Sequence, residues 1–342
     1  MSARIGVALI GAGRIGQRHA RTLATQVPGS HLIGIADASP DAARLTAEAV
    51  RLDRWTTDAD ALINDPAVQA VVIASSTGTH AKYIISAAQA GKDVFCEKPI
   101  ALDLERTDEA LAAVDRAGVR LQIGFQRRFD KGYHRAKELI AAGKLGRIET
   151  IRDTMRDPAP APREYIAQCG GLYRDMTIHN FDCVRWLMGA EVEEVFAFGA
   201  VLVDPMFAEF DDIDTSVVTL RFNNGGIGVI DNSRRSGYGY DVRTEIFGGE
   251  GALFVGFSRD TPLLHLNKQG VHSDHIHWFL ERFDQAFVAE LVEFIDAIAN
   301  DRQTAVTGTD GRAALELAYA CETSRRENRP VSLKDYRRVD SG

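Results

Sequence analysis

Residues 4–16 read RIGVALIGAGRIG, and residues 17–26 continue as QRHARTLATQ. Ile5, Val7, Ala8, Leu9 and Ile10 form a short, nearly continuous apolar run, the pattern of a strand covered on both faces of a parallel sheet. Gly11, Gly13 and Gly16 follow at the G-x-G-x-x-G spacing. In that motif the first glycine permits a tight turn, the second lets the backbone approach a pyrophosphate, and the third lets helix and strand pack closely. A helix over residues 17–26 would then aim its free N–H groups and positive dipole end at the ligand. The turn Gly11, Ala12, Gly13, Arg14, Ile15, Gly16 is therefore the expected phosphate cradle.

The spacing alone also occurs in strand-to-helix turns that bind nothing, so its surroundings matter. A second strand, His31 to Ala36 (HLIGIA), ends at Asp37, about 20 residues past the glycines, where an acidic side chain meets the adenosine ribose hydroxyls. The plainer alternative for Asp37 is a loop carboxylate or a helix cap, a role that Ser39 and Asp41 could equally fill. A carboxylate at that place repels a 2′-phosphate, and Ala38, Ser39 and Pro40 supply no arginine to accept one. The expected cofactor is NAD, with Arg44 the nearest cation that could reach back.

Further along, helices are expected over residues 40–50, with Ala43, Leu45, Ala47 and Ala49 as apolar positions, and over 58–64. A third strand over 70–74 delivers Ser75, Ser76 and Thr77 to the edge where doubly wound sheets bind ligands. His80 opens the next helix, either beside the cofactor or bonding nearby backbone. A strand at 93–95 leads into Cys96, Glu97, Lys98 and Pro99, where proline disfavours helix at the lysine and holds it extended. A helix over 103–117, stopped by Gly118, and a strand at 120–123 complete a βα rhythm that specifies an α/β fold, a Rossmann-type doubly wound parallel sheet over residues 1–123.

Residues 124–342 change rhythm. A helix at 133–142 precedes strand-like segments at 148–156, 192–202, 214–222, 226–233 and 240–247, several alternating apolar and polar, with Asn223 to Gly226 as a hairpin turn. The expectation is a second, α+β domain with an open mixed, mainly antiparallel sheet. Its uncovered face predicts a homo-oligomer, a dimer or tetramer. Among the strands, Asp175 and His179 stand four apart on a helix over 170–188 and share one face. Such a pair tunes a histidine for proton transfer, or is simply a helix salt bridge.

Taken together, Glu97-Lys98-Pro99 after a glycine-rich fold, the Asp175/His179 pair, and the stretches FQRRFD (125–130), RDPAPAP (156–162) and RRSGYGYDVR (234–243) resemble the family of glucose-fructose oxidoreductases, inositol dehydrogenases and related sugar dehydrogenases, over essentially the whole chain. The resemblance implies that Lys98, Asp175 and His179 work together as catalytic residues. It also implies that Glu97 and Lys98 flank the cofactor, and that Arg127, Asp157, Tyr238 and Tyr240 join the catalytic three in binding a polyol. Alcohol oxidation needs a base for the hydroxyl proton while carbon loses hydride. His179 suits that role, Lys98 would favour negative charge on the oxygen, and Asp175 would orient His179 or bond a neighbouring hydroxyl. The expected reaction is NAD-dependent oxidation of myo-inositol to its 2-keto product. Another inositol isomer or a pyranose is the alternative substrate, and an NAD-sensing regulator without turnover the alternative class.

The 342 residues suffice for two cores, and a net charge of -8 argues against a nucleic-acid partner. No apolar run reaches the roughly 20 residues of a membrane span, and no secretion signal opens the chain, so a cytoplasmic protein is expected. Cys96, Cys169, Cys183 and Cys321 are widely spaced and read as reduced core thiols. His265, His272, His275 and His277 fall in a stretch that reads as loop and lacks H-E-x-x-H, so no metal is expected there. Helices over 279–300 and 310–327 close the chain as structural elements.

Overall fold

The computed structural model describes residues 4–256 and 259–336. The chain divides into two compact units: residues 1–129 with 285–313, and residues 130–284 with 314–342. A single boundary near Gly124 is therefore corrected. The first unit continues through Phe129, and a later segment returns to it because Leu291, Phe294 and Ile295 pack into the same apolar core as Val7, Leu9 and Phe95.

The first unit is a six-stranded parallel sheet of β1 (Ile5–Ile10), β2 (Ser30–Ala36), β3 (Trp55–Thr56), β4 (Ala70–Ile73), β5 (Asp93–Glu97) and β6 (Leu121–Gly124) in the order β3-β2-β1-β4-β5-β6. Every residue of β1 and β4 is buried, as the continuous apolar runs require. Helices α1 (Arg14–Thr25), α2 (Pro40–Ala49), α3 (Ala59–Ile63), α4 (His80–Gln89) and α5 (Leu104–Ala117) connect the strands. Local chemistry sets their ends: Ser39, Asp58 and Asp103 accept backbone N–H groups at the starts of α2, α3 and α5. Strand order reverses between β1 and β4, which are paired through Ile10 and Ile73. Gly11 and Ser75 leave these two strands at the carboxyl edge, the crevice where this class of sheet binds ligands. In α2 the buried positions are Ala43, Thr46 and Ala47, whereas Leu45 is exposed. The 3.6-residue period puts 43 and 47 on one face and turns 45 away from it.

The second unit begins with α6 (Lys131–Ala141), capped by Asp130. There follow β7 (Ile148–Arg156), α7 (Arg163–Ile166), α8 (Ile178–Met188), β8 (Val192–Ala200), β9 (Thr215–Phe222), β10 (Ile227–Ser233), β11 (Asp241–Gly248) and β12 (Gly251–Val255). Next come β13 (Arg259–Asn267), β14 (Gly270–His275) and α9 (Phe279–Arg282); α10 (Asp284–Ala299) belongs to the first unit from Gln285 on, α11 (Gly308–Glu327) passes back to the second after Ala313, and β15 (Val331–Ser332) closes it. Seven strands form one sheet, β12-β11-β7-β10-β9-β8-β15, in which only the β7/β10 pairing is parallel. This is the mixed, mainly antiparallel sheet expected, and Asn223 to Gly226 closes the β9/β10 hairpin. One face is buried; the other carries exposed Phe198, Val217, Ile227, Val229 and Phe247.

Two expectations fail in the later chain. The histidine-rich stretch is a two-stranded hairpin, β13/β14, with His265 and His272 opposite each other, not a loop. Nearly all of its residues are exposed on both faces, so the alternation that marks a half-buried strand is missing from the sequence. The closing helix breaks at Phe283 into α9 and α10.

Candidate active site

In the first unit the glycine turn has the shape a pyrophosphate needs. Gly11 adopts a φ of +103°, and a Cβ there would lie 2.4 Å from the Ala74 backbone; a Cβ on Gly16 would lie 2.1 Å from the Gly11 carbonyl oxygen. By contrast a Cβ on Gly13 meets nothing within 4 Å. The space above Gly13 is open and could admit a ligand, and α1 starts there without a side-chain cap. Asp37 ties the second strand to this turn: Oδ2 accepts from the Ala12 N–H at 2.7 Å and Oδ1 from the Ser39 N–H at 2.8 Å. Its carboxylate is thus fixed beside the cradle with lone pairs to spare for ribose hydroxyls. Arg44 is engaged by Asp41 and Glu48 on its own helix. These residues fit a dinucleotide without a 2′-phosphate.

Ser75, Ser76 and Thr77 follow β4, and the Ser75 and Thr79 hydroxyls bond each other at 2.7 Å. His80 takes the backbone-bonding alternative. It is buried, with Nδ1 2.8 Å from the Pro99 carbonyl oxygen and Nε2 3.1 Å from that of Ser75. Burial lowers its pKa, so the ring is neutral and donates from one nitrogen at a time. Lys98, partly exposed, lies between buried Glu97 and Pro99 at the end of β5. Arg127, two residues before the unit ends, is almost fully buried, and its neighbour Arg128 pairs with Asp310 at 2.8 Å. Neither is a surface arginine.

In the second unit, Gly170 and Gly171 have φ of +84° and +88°, a left-handed pair that turns the chain into the helix. Residues 173–177 form one turn of π-helix leading into α8. Such wide turns recur at functional sites. Asp175 sits in this turn and is held from two sides: the Tyr165 hydroxyl donates to Oδ1 at 2.7 Å and Arg234 Nη2 to Oδ2 at 2.9 Å. Burial and the Asp175 charge push the Tyr165 hydroxyl up, so it stays a proton donor. Asp157, expected to bind the polyol, has its N–H on the Ser233 carbonyl and its carboxylate 3.5 Å from Arg234. One buried guanidinium therefore holds two acids.

His179 lies in the first turn of α8, whose residues 178–185 are all buried. The next residue, Asn180, locks the helix to the sheet: its amide donates to Asp153 Oδ2 at 2.8 Å, and its oxygen accepts from Asn232 at 3.0 Å. Thr244 donates to the other oxygen of Asp153 at 2.6 Å and bonds the Tyr133 hydroxyl at 2.9 Å. Tyr238 and Tyr240 do not share a strand face. Both precede β11; Tyr238 is exposed and donates to Asp241 at 2.6 Å, while Tyr240 is buried edge-on to Phe283. Positive φ at Gly239, between them, breaks the alternation.

Sequence reading passed over Arg234, Tyr165, Asp153 and Asn180. Arg234 was detectable, because Gly228, Ile230, Asn232 and Arg234 alternate on one buried face, and a buried guanidinium needs acid partners.

Residues 5–125 match the model of an oxidoreductase family with an NAD-binding Rossmann fold, and residues 133–254 match the GFO/IDH/MocA C-terminal domain. The chain is 44% identical over 333 residues to the myo-inositol 2-dehydrogenase of Thermotoga maritima, covering 97% of this chain and 99% of that protein. It is 36% identical over 342 residues to the scyllo-inositol 2-dehydrogenase (NAD(+)) of Bacillus subtilis, with both chains covered in full. The crystal structure of scyllo-inositol dehydrogenase from Lactobacillus casei with NAD(H) and scyllo-inositol bound superposes with a TM-score of 0.91 at 30% identity, covering 97% of this chain and 99% of that one. With both halves matched in order, and relatives aligned from end to end, the chain belongs to the GFO/IDH/MocA family of NAD-dependent oxidoreductases.

Proposed function

We propose that the protein oxidises a secondary hydroxyl of a cyclic polyol with NAD, converting myo-inositol to its 2-keto product. The observation that carries this reading is the clamp on Asp175. A carboxylate bound by both Tyr165 and Arg234 is kept charged and oriented, which leaves proton removal to His179 four residues on. Bound NAD supplies the hydride acceptor. The glycine turn and Asp37 hold the cofactor, with Ser75, Ser76 and Thr77 along its other side. Lys98 donates a hydrogen bond to the reacting oxygen and favours its developing negative charge. His179 takes the hydroxyl proton, and Asp175 accepts from a substrate hydroxyl or the imidazole. Arg127, Asp157 and Tyr240 complete the polyol contacts. In this reading the first unit is the nucleotide domain and the second the substrate and assembly domain.

Scyllo-inositol is the second reading. The Bacillus subtilis relative bears that name, and oxidation of either isomer at this carbon gives the same ketone. Purified protein and NAD, assayed for NADH against inositol isomers, glucose, galactose and xylose, test the reading. A rate with an inositol supports it, and bound NAD with no reduction by any polyol refutes it.

We further infer a homo-oligomer, a dimer or tetramer, assembled through the open sheet face. The support is the cluster of exposed Phe198, Val217, Ile227 and Val229, an apolar surface of the kind that marks interfaces. Sedimentation of Val229→Glu as a smaller species than the parent is expected; an unchanged size refutes this face. A cytoplasmic location is supported by four buried cysteines that form no disulfide among the described residues. No helix among the described residues is long and apolar enough to cross a membrane.

A further inference from the structure

Beneath the Lys98 turn lie three buried acid and base side chains, of which two, His19 and Glu290, have no role in the reaction as read above. His19 sits on the apolar face of α1 with Ala20 and Leu23, and its Nε2 is 2.7 Å from Glu97 Oε1. Phe95 and Phe287 present ring edges to it. Glu290 projects from the apolar face of α10 between Phe287 and Phe294; it is fully buried, and neither carboxyl oxygen has a hydrogen-bond partner among the described residues. The ligand atoms of His19, Glu97 and Glu290 all lie within 4.8 Å of one another.

Two ionised carboxylates this close in an apolar setting would repel without water to screen them. Burial, and then the charge of Glu97, move the Glu290 carboxyl well above the usual range. A divalent cation is the other way to neutralise the cluster. Tetrahedral ligands at about 2.1 Å from a metal stand about 3.4 Å apart, whereas His19 and Glu97 stand at hydrogen-bond distance. Between His19 and Glu97 the distance is that of a shared proton, and Glu290 stands beside that pair. On the far side of Lys98, His80 Nδ1 meets the Pro99 carbonyl at 2.8 Å, so the residues before and after the lysine are each held by a buried histidine.

We propose that Glu290 is a neutral carboxylic acid packed beside the hydrogen-bonded Glu97–His19 pair, and that this buried cluster is a positioning device for the Lys98 ammonium. The proposal rests on the reading above, in which Lys98 bonds the reacting oxygen. Glu290 and His19 touch neither substrate nor cofactor; they act through the turn.

The test compares the full-length parent with Glu290→Met, Glu290→Gln and Lys98→Ala. Methionine removes the acid from an apolar core without a large cavity, so its midpoint of thermal unfolding holds or rises. Its kcat with the active inositol should nevertheless fall about tenfold, as misplacing a catalytic group by a fraction of an ångström does, with KM for NAD within about twofold. Glutamine, neutral and of nearly the same shape as the protonated acid, should recover kcat to within about threefold of the parent. The parent should show the infrared carbonyl band of a protonated carboxylic acid, lost in E290Q, which keeps the proposal testable even if E290M does not fold. Parental kcat in E290M, equal loss in both variants, a kcat loss that follows lost stability, an absent carboxylic-acid band, or one bound metal per chain would each overturn it. Near-parental turnover in Lys98→Ala would defeat the underlying reading instead, and the proposal with it. Silent Lys98→Ala beside fully active E290M would defeat the proposal alone.

Discussion

Arg234→Met is the most informative single change in the second unit. Arg234 is 3% exposed, with Asp175 at 2.9 Å and Asp157 at 3.5 Å. Burial disfavours its charge, but the two acids outweigh burial and its pKa moves up. Methionine fills much of the volume and removes only the cation. Asp175, itself 7% exposed, and Asp157 are then left without their shared partner. Removing one member of a buried pair costs about 3–5 kcal/mol. At about 2–4 °C per kcal/mol for a unit of this size, the unfolding midpoint should drop on the order of 10 °C. The functional consequence is separate from the stability loss: without the guanidinium, Asp175 takes up a proton more readily, so the acid limb of kcat/KM against pH moves to higher pH. Differential scanning calorimetry and NADH rates from pH 5.5 to 9 measure both. A midpoint within about 2 °C of the parent, together with an unmoved acid limb, would refute the claim that Arg234 holds Asp175.

Three further outcomes follow from the first unit. Gly13→Ala should keep the parental unfolding midpoint, because its Cβ meets nothing within 4 Å, yet lose NAD affinity at least tenfold by calorimetric titration if the pyrophosphate takes that open space as proposed. Unchanged affinity would move the pyrophosphate elsewhere. Asp37→Ala should weaken NAD and relax discrimination against NADP; steady-state kinetics with both cofactors would show no change if Asp37 does not meet the ribose. The third is a pH dependence. Glu290 has a raised pKa in the folded protein, so above the unfolded value of about 4.3 the unfolded chain releases a proton that the fold retains, and stability falls with rising pH by about 1.4 kcal/mol per unit. The stability of Glu290→Gln relative to the parent should therefore grow from pH 5 to pH 7. A constant difference across that window would mean that Glu290 is ionised in the fold.

The first unit was legible because its signals are local. Ile5 to Ile10, the three glycines and Asp37 lie within one βαβ unit, and each is constrained by steric or electrostatic demands that leave a mark on neighbouring residues. The second sheet was legible in its strands, whose one-sided burial preserves alternation. Asp175 and His179 became candidates through spacing, but nothing local to them announces Arg234 or Tyr165, which reach Asp175 from 59 and 10 residues away. Tyr238 and Tyr240, two apart in sequence, differ in burial because positive φ at Gly239 breaks the extended alternation between them. His19 and Glu290 did leave a trace: each is an ionisable residue on an otherwise apolar helix face, a place where a partner is required. The β13/β14 hairpin left none, having no buried face to impose a period.

The central claim is that hydride leaves carbon 2 of an inositol for NAD while His179 takes the hydroxyl proton. Incubating the protein with NAD and myo-inositol deuterated at carbon 2, then weighing the NADH by mass spectrometry, tests it directly. The account predicts NADH that carries the deuterium, at a rate that collapses in His179→Ala. Unlabelled NADH, or no NADH while NAD remains bound, would contradict it.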